Sequence, residues 1–271
     1  MNPWQRLRYE ARLWLTALEF LTRIPILAAA RFDPAWMSRC VRYFPWVGSL
    51  IGACGALVWW ALQPALSPTL AAALAFTATA LLTGAFHEDG LSDYVDGIGG
   101  GQSREHTLTI MKDSRVGSFG ALALVLVTLI KIAALASVPL FEAVIALIFA
   151  HTTARASAVT VMASLPYARD DATSKVKPVA MGVTWPEVLV SWLPTIALIL
   201  LAAPCGMTRQ APIALATATL AAGVVTLFLE RQMKQRLGGY TGDALGAVEQ
   251  CAEAVILVAC AAWFSVRTHG L

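Results

Sequence analysis

Between His87 and Gly101 the chain reads HEDGLSDYVDGIGGG, directly after the apolar run LAAALAFTATALLTGAF. If residues 86–97 are helical, Asp89, Asp93 and Asp96 fall at i, i+4 and i+7, within roughly 40° of one line down a single face. Carboxylates stacked so closely repel one another. A hard divalent cation such as Mg²⁺, which takes carboxylate oxygens together with substrate phosphates, removes that repulsion. A solvated acidic loop is the plainer alternative, but the cluster abuts an apolar segment, where ionisable groups tend to be functional. Asp89, Asp93 and Asp96 are therefore the expected metal ligands and catalytic carboxylates. His87 is a candidate general base, or a group that only holds its neighbours by hydrogen bonds. Glu88 falls off the acidic face.

Two further stretches carry chemistry. In IMKDSRVGSFG (110–120), Lys112 and Arg115 offer cations, Asp113 a carboxylate and Ser114 a hydroxyl. Lysine and arginine beside a metal suit a diphosphate, arginine gripping oxygens two at a time and lysine acting as a point charge. A juxtamembrane basic patch on anionic lipid would account for the two cations but not for Asp113 between them. In GGYTGDALGAVEQCAE (238–253), Thr241 or Asp243 can cap the helix that follows and leave N–H groups aimed at an anion. Glu249 and Glu253 then enter an otherwise apolar run, with Lys131, His151 and Arg155 as candidate partners, structural or catalytic.

The elements that must position these residues are set by composition. Of 271 residues 58% are hydrophobic and only 14% charged, with a mean hydropathy of +0.65. A soluble domain carries about 25% charged residues, so a soluble helical protein is excluded and a polytopic all-α membrane bundle expected. A span needs about 20 apolar residues. Seven segments qualify: 44–66, 69–86, 117–138, 142–164, 187–204, 211–229 and 244–266, the second and sixth short. Residues 13–30, with Glu19, Arg23 and Pro25, read as an interfacial or re-entrant helix, or alternatively a span; the same charges argue against a cleaved leader. Cys40, Cys54, Cys205, Cys251 and Cys260 have no metal-type spacing. One domain, 1–271, is expected.

Positive residues alternate between connections. Arg6, Arg8, Arg12, Arg31, Arg39 and Arg42 precede the first span. Arg104, Lys112 and Arg115 lie in 87–116, Arg169, Lys175 and Lys177 in 165–186, and Arg231, Lys234 and Arg236 in 230–243. Arg209 and Arg267 are the exceptions on the other side. The positive-inside rule puts the richer connections, and the three polar motifs with them, in the cytoplasm.

At these motifs the chain resembles the cobalamin synthase family, the adenosylcobinamide-GDP ribazoletransferases of bacterial and archaeal inner membranes. The family's His-x-Asp-Gly-x-x-Asp-x-x-Asp signature is matched by His87, Asp89, Gly90, Asp93 and Asp96. Its Met-Lys-Asp-Ser…Gly…Gly stretch is matched by Met111 to Ser114, Gly117 and Gly120. Gly238, Gly239, Thr241, Gly242, Asp243, Gly246 and Ala247 match a third motif, and Leu21 to Pro25 and Tyr167 to Arg169 also fit. The resemblance implies attack of the 3′-hydroxyl of α-ribazole, or its 5′-phosphate, on adenosylcobinamide-GDP, with GMP leaving. Mg²⁺ would sit on some of Asp89, Asp93 and Asp96, with Asp113 or Asp243 as further choices. Lys112, Asp113, Ser114, Arg115, Arg169, Thr241 and Asp243 become expected substrate contacts. The implied partners are the two small-molecule substrates and the bilayer, with no nucleic acid; association with itself or with other cobalamin-assembly enzymes stays open.

Two other diphosphate-using membrane transferases fit less well. The CDP-alcohol phosphotransferase motif needs an upstream Asp and an Ala-Arg that Asp89-Gly90 lacks, and the prenyltransferase spacing differs. A transporter, with Glu142, Lys131, Arg155, Glu249 and Glu253 as relays, would bring an internal repeat and access from both sides. The chain instead gathers its motifs on one face.

Overall fold

The computed structural model describes residues 2–26, 34–169, 182–202 and 210–265. Arg31, Lys175, Lys177, Cys205, Arg209, Arg267 and the end of the 13–30 segment lie outside them. Apart from an isolated bridge between Tyr167 and Tyr240, the regular elements among the described residues are helices. They are α1 (Pro3–Leu21), α2 (Pro34–Cys40), α3 (Phe44–Leu62), α4 (Pro68–Thr83), α5 (Phe86–Gly100) and α6 (Arg104–Ile110). The second half holds α7 (Ser118–Ala136), α8 (Leu140–Ser164), α9 (Trp185–Leu201), α10 (Ala211–Leu237) and α11 (Gly242–Ser265).

Local sequence sets several of these ends. Asn2 and Gln5 form a reciprocal capping box at the start of α1, and the Ser67 hydroxyl receives the Leu70 N–H ahead of α4. α8 runs through the middle, buried on nearly every side, and packs on α3, α9 and α11. Gly48 and Gly52 of α3 permit the closest approach, since a Cβ at Gly48 would stand 2.4 Å from the His151 carbonyl oxygen. α7 instead leaves Leu122, Val125, Leu126 and Leu129 exposed, as a helix facing lipid tails does.

The bundle has fewer membrane-length helices than the seven expected from hydropathy. Five are long and apolar enough to cross: Trp36–Leu62, Ser118–Ala136, Leu140–Ser164, Ala211–Leu237 and Gly242–Phe264. A sixth crossing arises if α4 and α5, bent 91° at their break, count as one. The α9 helix, at 17 residues, falls short. The sixth apolar segment is long rather than short, because its helix continues through Glu230, Arg231 and Lys234 to Leu237. At the N-terminus α1 begins at Pro3, well before residue 13, and is not among the membrane-length helices.

The α4–α5 corner aims the acidic segment. Gly84 and Ala85 both take left-handed backbone, with φ of 70° and 55°, which turns the chain within two residues. Arg23 holds the corner from outside: its N–H donates to the Leu82 carbonyl at 2.7 Å and its guanidinium lies over Gly84. Beyond the corner α5 carries four carboxylates and leaves the course of α4, so it lies along the end of the bundle rather than crossing.

Candidate active site

Three separate connections meet at one end of the bundle. The Arg104 guanidinium donates to the carbonyls of Leu237 (2.7 Å) and Ala168 (2.8 Å), and that of Arg236 to Gly101 (2.6 Å) and Ile98 (3.2 Å). The Tyr240 N–H donates to Pro166 and the Ala168 N–H to Tyr240, so 166–168 and 240 form one short bridge. Each arginine thus satisfies carbonyls at a helix end that would otherwise lack partners. α5 lies against the start of α11 where both are glycine: a Cβ at Gly90 would come 2.9 Å from the Asp243 carbonyl, and one at Gly246 2.9 Å from that of His87.

This packing brings Asp89 and Asp93 of α5 to Asp243 in the first turn of α11, with Arg169 beside them. The Arg169 guanidinium donates to Asp243 at 2.7 Å and to the Met111 carbonyl at 3.4 Å. Asp89 is exposed, whereas Asp93 and Asp243 are half-buried. Loss of water around Asp93, then the charges of Asp243 and Asp89, push its carboxyl up to about 7, against the opposing pull of Arg169. Asp243 also faces the charge of Asp89 and is tied to Arg169. Three carboxylates therefore share one guanidinium, an excess of negative charge that a cation would relieve. Among the described residues, no group of three or more His, Cys, Asp and Glu side chains is arranged so that it could hold a metal ion.

Asp96, expected to stand with Asp89 and Asp93 as a ligand, is placed otherwise. It is buried, and its two oxygens each accept a backbone N–H at 2.8 Å, from Gly117 and Gly120 at the start of α7. The carboxylate acts as the anion at a helix N-terminus, the stabilising place for negative charge. Thr241 is also internal, its hydroxyl accepting the Ala244 N–H at 3.1 Å, which settles it as the cap of α11. Lys112, Ser114 and Arg115 are exposed on the α6–α7 connection. Arg115 turns on Asp113, donating to both of its oxygens, the shortest contact being 2.6 Å, and holds that carboxyl down at about 2. The pair shares an open groove with Asp96, Gly117 and Phe119.

His87 does not face the acidic group. Its Nε2 lies 2.9 Å from Glu249 Oε2 and its Nδ1 3.5 Å from Arg155 Nη2. It is the end of a buried charge network: Arg155 meets Glu249 (3.4 Å) and Glu253 (2.7 Å), and His151 (2.6 Å) and Lys131 (2.7 Å) also reach Glu253. Lys131 further donates to Gln250, whose amide donates to Glu88. The expected partners of the two intramembrane glutamates are all present. Glu88, set aside on sequence grounds, belongs to this network, and Arg104 and Arg236 were not singled out. Their sequence signal is only that of positive charges in the connections read as cytoplasmic.

The fold and its polar end define an all-helical, multi-pass membrane protein with carboxylates and an arginine gathered at the ends of its spans. Residues 13–261 match the family model described as Cobalamin-5-phosphate synthase. An adenosylcobinamide-GDP ribazoletransferase of Leptothrix cholodnii is 44% identical over 90% of this chain and 93% of its own length. Proteins of the same description from Shewanella amazonensis and Ralstonia pickettii are 42% and 38% identical, over 91% and 93% of this chain and 94% and 96% of their own lengths. No solved structure matches the chain. The chain belongs to the cobalamin-5-phosphate synthase family, a family of membrane transferases.

Proposed function

We propose that this protein joins adenosylcobinamide-GDP to α-ribazole, or its 5′-phosphate, giving adenosylcobalamin, or its 5′-phosphate, and GMP, with Mg²⁺ as cofactor. The observation that carries the reading is the meeting of Asp89, Asp93 and Asp243 around one arginine in a chain of this family. These all-oxygen donors fit Mg²⁺, which takes one or two protein carboxylates and keeps its other positions for water and phosphate. Bound there, the ion would neutralise the diphosphate and the charge developing on the leaving GMP.

The protein's own groups do the rest. Arg169 is placed to exchange Asp243 for a phosphate oxygen, keeping a charge-assisted hydrogen bond in both states. The ribose 3′-hydroxyl attacks the phosphorus attached to cobinamide, the bond to GMP breaks, and the hydroxyl proton passes to a carboxylate. The carboxylates of this group face that step, whereas the ring nitrogens of His87 face Glu249 and Arg155. Asp96 fixes the start of α7, and Arg115, which borders the groove, and Lys112 on the same connection serve as outer phosphate contacts.

The same reading sets the site on the cytoplasmic side of a bacterial inner membrane, since Arg104, Lys112, Arg115, Arg231, Lys234 and Arg236 edge its end of the bundle. α4 and α9 then serve as shorter crossings and complete seven. Trp192 bonds Thr160 and Thr195 bonds Thr153, the pairing of a helix antiparallel to α8. The test is GMP release from adenosylcobinamide-GDP and α-ribazole by protein in liposomes. Release that stops on adding EDTA and returns with Mg²⁺ is expected; no release by folded protein overturns the reading.

A further inference from the structure

Helix α1 is anchored to the bundle by its second half. Leu13, Ala17, Leu18 and Leu21 are buried there. Aromatic contacts brace the same end: Phe20 stacks on Phe44 with centroids 5.6 Å apart and meets Phe86 edge-on at 5.7 Å. Those two rings stand at the start of α3 and at the α4–α5 corner, so α1 sits at the end of the bundle that carries the acidic group. Residues 2–8, by contrast, are exposed throughout. Trp4 is 73% and Leu7 61% exposed, and Ala11 is exposed with them. Spaced i, i+3 and i+7, the three share one face. At 100° per residue, Arg8 and Arg12 flank that face on one side and Arg6 on the other. All three arginines are exposed, and none has a carboxylate partner among the described residues. Arg12 lies over the Trp36 ring at 5.6 Å, and Glu10 is taken by Arg42 (2.6 Å) and Tyr43 (2.8 Å).

We infer that this half of α1 is a docking surface for anionic phospholipid, with Trp4 and Leu7 at the top of the acyl chains and Arg6, Arg8 and Arg12 on headgroup phosphates. The inference stands apart from the proposed reaction. A helix whose uncovered apolar stripe is edged by arginines lies in the plane of a membrane surface, and arginines without carboxylate partners favour anionic over zwitterionic lipid there. The level is right as well. Phe44, on which Phe20 stacks, belongs to the membrane-length helix Trp36–Leu62. Two residues on, Trp46 is itself 44% exposed, as tryptophans are at the boundary between lipid and water. At that level a soluble partner would have to displace lipid to reach the stripe. Docked in this way, α1 sets the α4–α5 corner, and α5 beyond it, at a fixed height against the surface.

Native mass spectrometry of the full chain, released from nanodiscs of equal parts phosphatidylglycerol and phosphatidylcholine, tests the inference. The chain should retain phosphatidylglycerol at least threefold over phosphatidylcholine. Arg6→Gln/Arg8→Gln should cut that preference by half or more at an unchanged melting temperature. Arg231→Gln/Lys234→Gln, the same change of charge on α10, should leave most of it. Retention indifferent to lipid charge, or lowered equally by both variants, overturns the inference. The apolar stripe has its own readout, since the difference in emission between the unaltered chain and Trp4→Phe isolates Trp4. Phospholipid brominated near the top of its chains should quench that emission, and aqueous iodide should not. Quenching by iodide alone puts the helix in water. Quenching by neither puts a protein surface over the stripe, a second copy where the mass of the particle doubles. Either result overturns the docking.

Discussion

Two groups of carboxylates begin less than two helical turns apart on α11, at Asp243 and Glu249, and they are built to opposite ends. In the inner group, Glu249 and Glu253 are met by Arg155, Lys131, His151 and His87, so nearly all the negative charge is answered by protein cations. In the outer group, Arg169 is the cation set against Asp93 and Asp243 among the described residues, with the charge of Asp89 beside them. The same side chains thus tie helices together in one place and, on the proposed function, meet an external cation in the other. What separates them is how many cations the neighbouring helices carry to each, not carboxylate number or burial alone.

Substitutions should divide along that line. Asp93→Asn removes charge from the group with too much of it, so turnover should fall by about a hundredfold or more with an unchanged melting temperature in detergent. An unfolded or fully active variant would merge the two groups. Glu253→Gln strips the shared partner from Lys131, His151 and Arg155 and should destabilise the fold by about 3–5 kcal/mol, read as a lower unfolding midpoint. A stable but inactive Glu253→Gln protein would move the inner group into the chemistry. Asp96→Asn belongs between the two. It replaces one of two N–H acceptors with a donor at the start of α7, costing about 1–3 kcal/mol, so stability and turnover should fall together. Loss of turnover alone would return Asp96 to the ligands.

The acidic face was legible because helical periodicity is a local property: Asp89 and Asp93 are one turn apart on any α-helix. Asp96 obeys the same arithmetic, but its partners are the N–H groups of Gly117 and Gly120, 21 and 24 residues later, which no local period reveals. Hydropathy found the apolar segments but not their ends, because α10 keeps its helix after its sequence turns polar. The pairing of Glu249 and Glu253 with Lys131, His151 and Arg155 was legible for another reason. Charges inside an apolar run have few places to go. Glu88 escaped because its relation to Gln250 exists only once α5 has turned against α11.

The inner network also bears on how the chain enters its membrane. A charged residue near the centre of a lone helix costs about 2.5–3.5 kcal/mol on insertion, and α11 carries two. Helices α7 and α8, which hold the matching cations, come earlier in the chain and leave the ribosome first. The last helix therefore finds its counter-charges waiting, and a chain shortened before α11 would leave Lys131 and Arg155 as a burden on the bilayer.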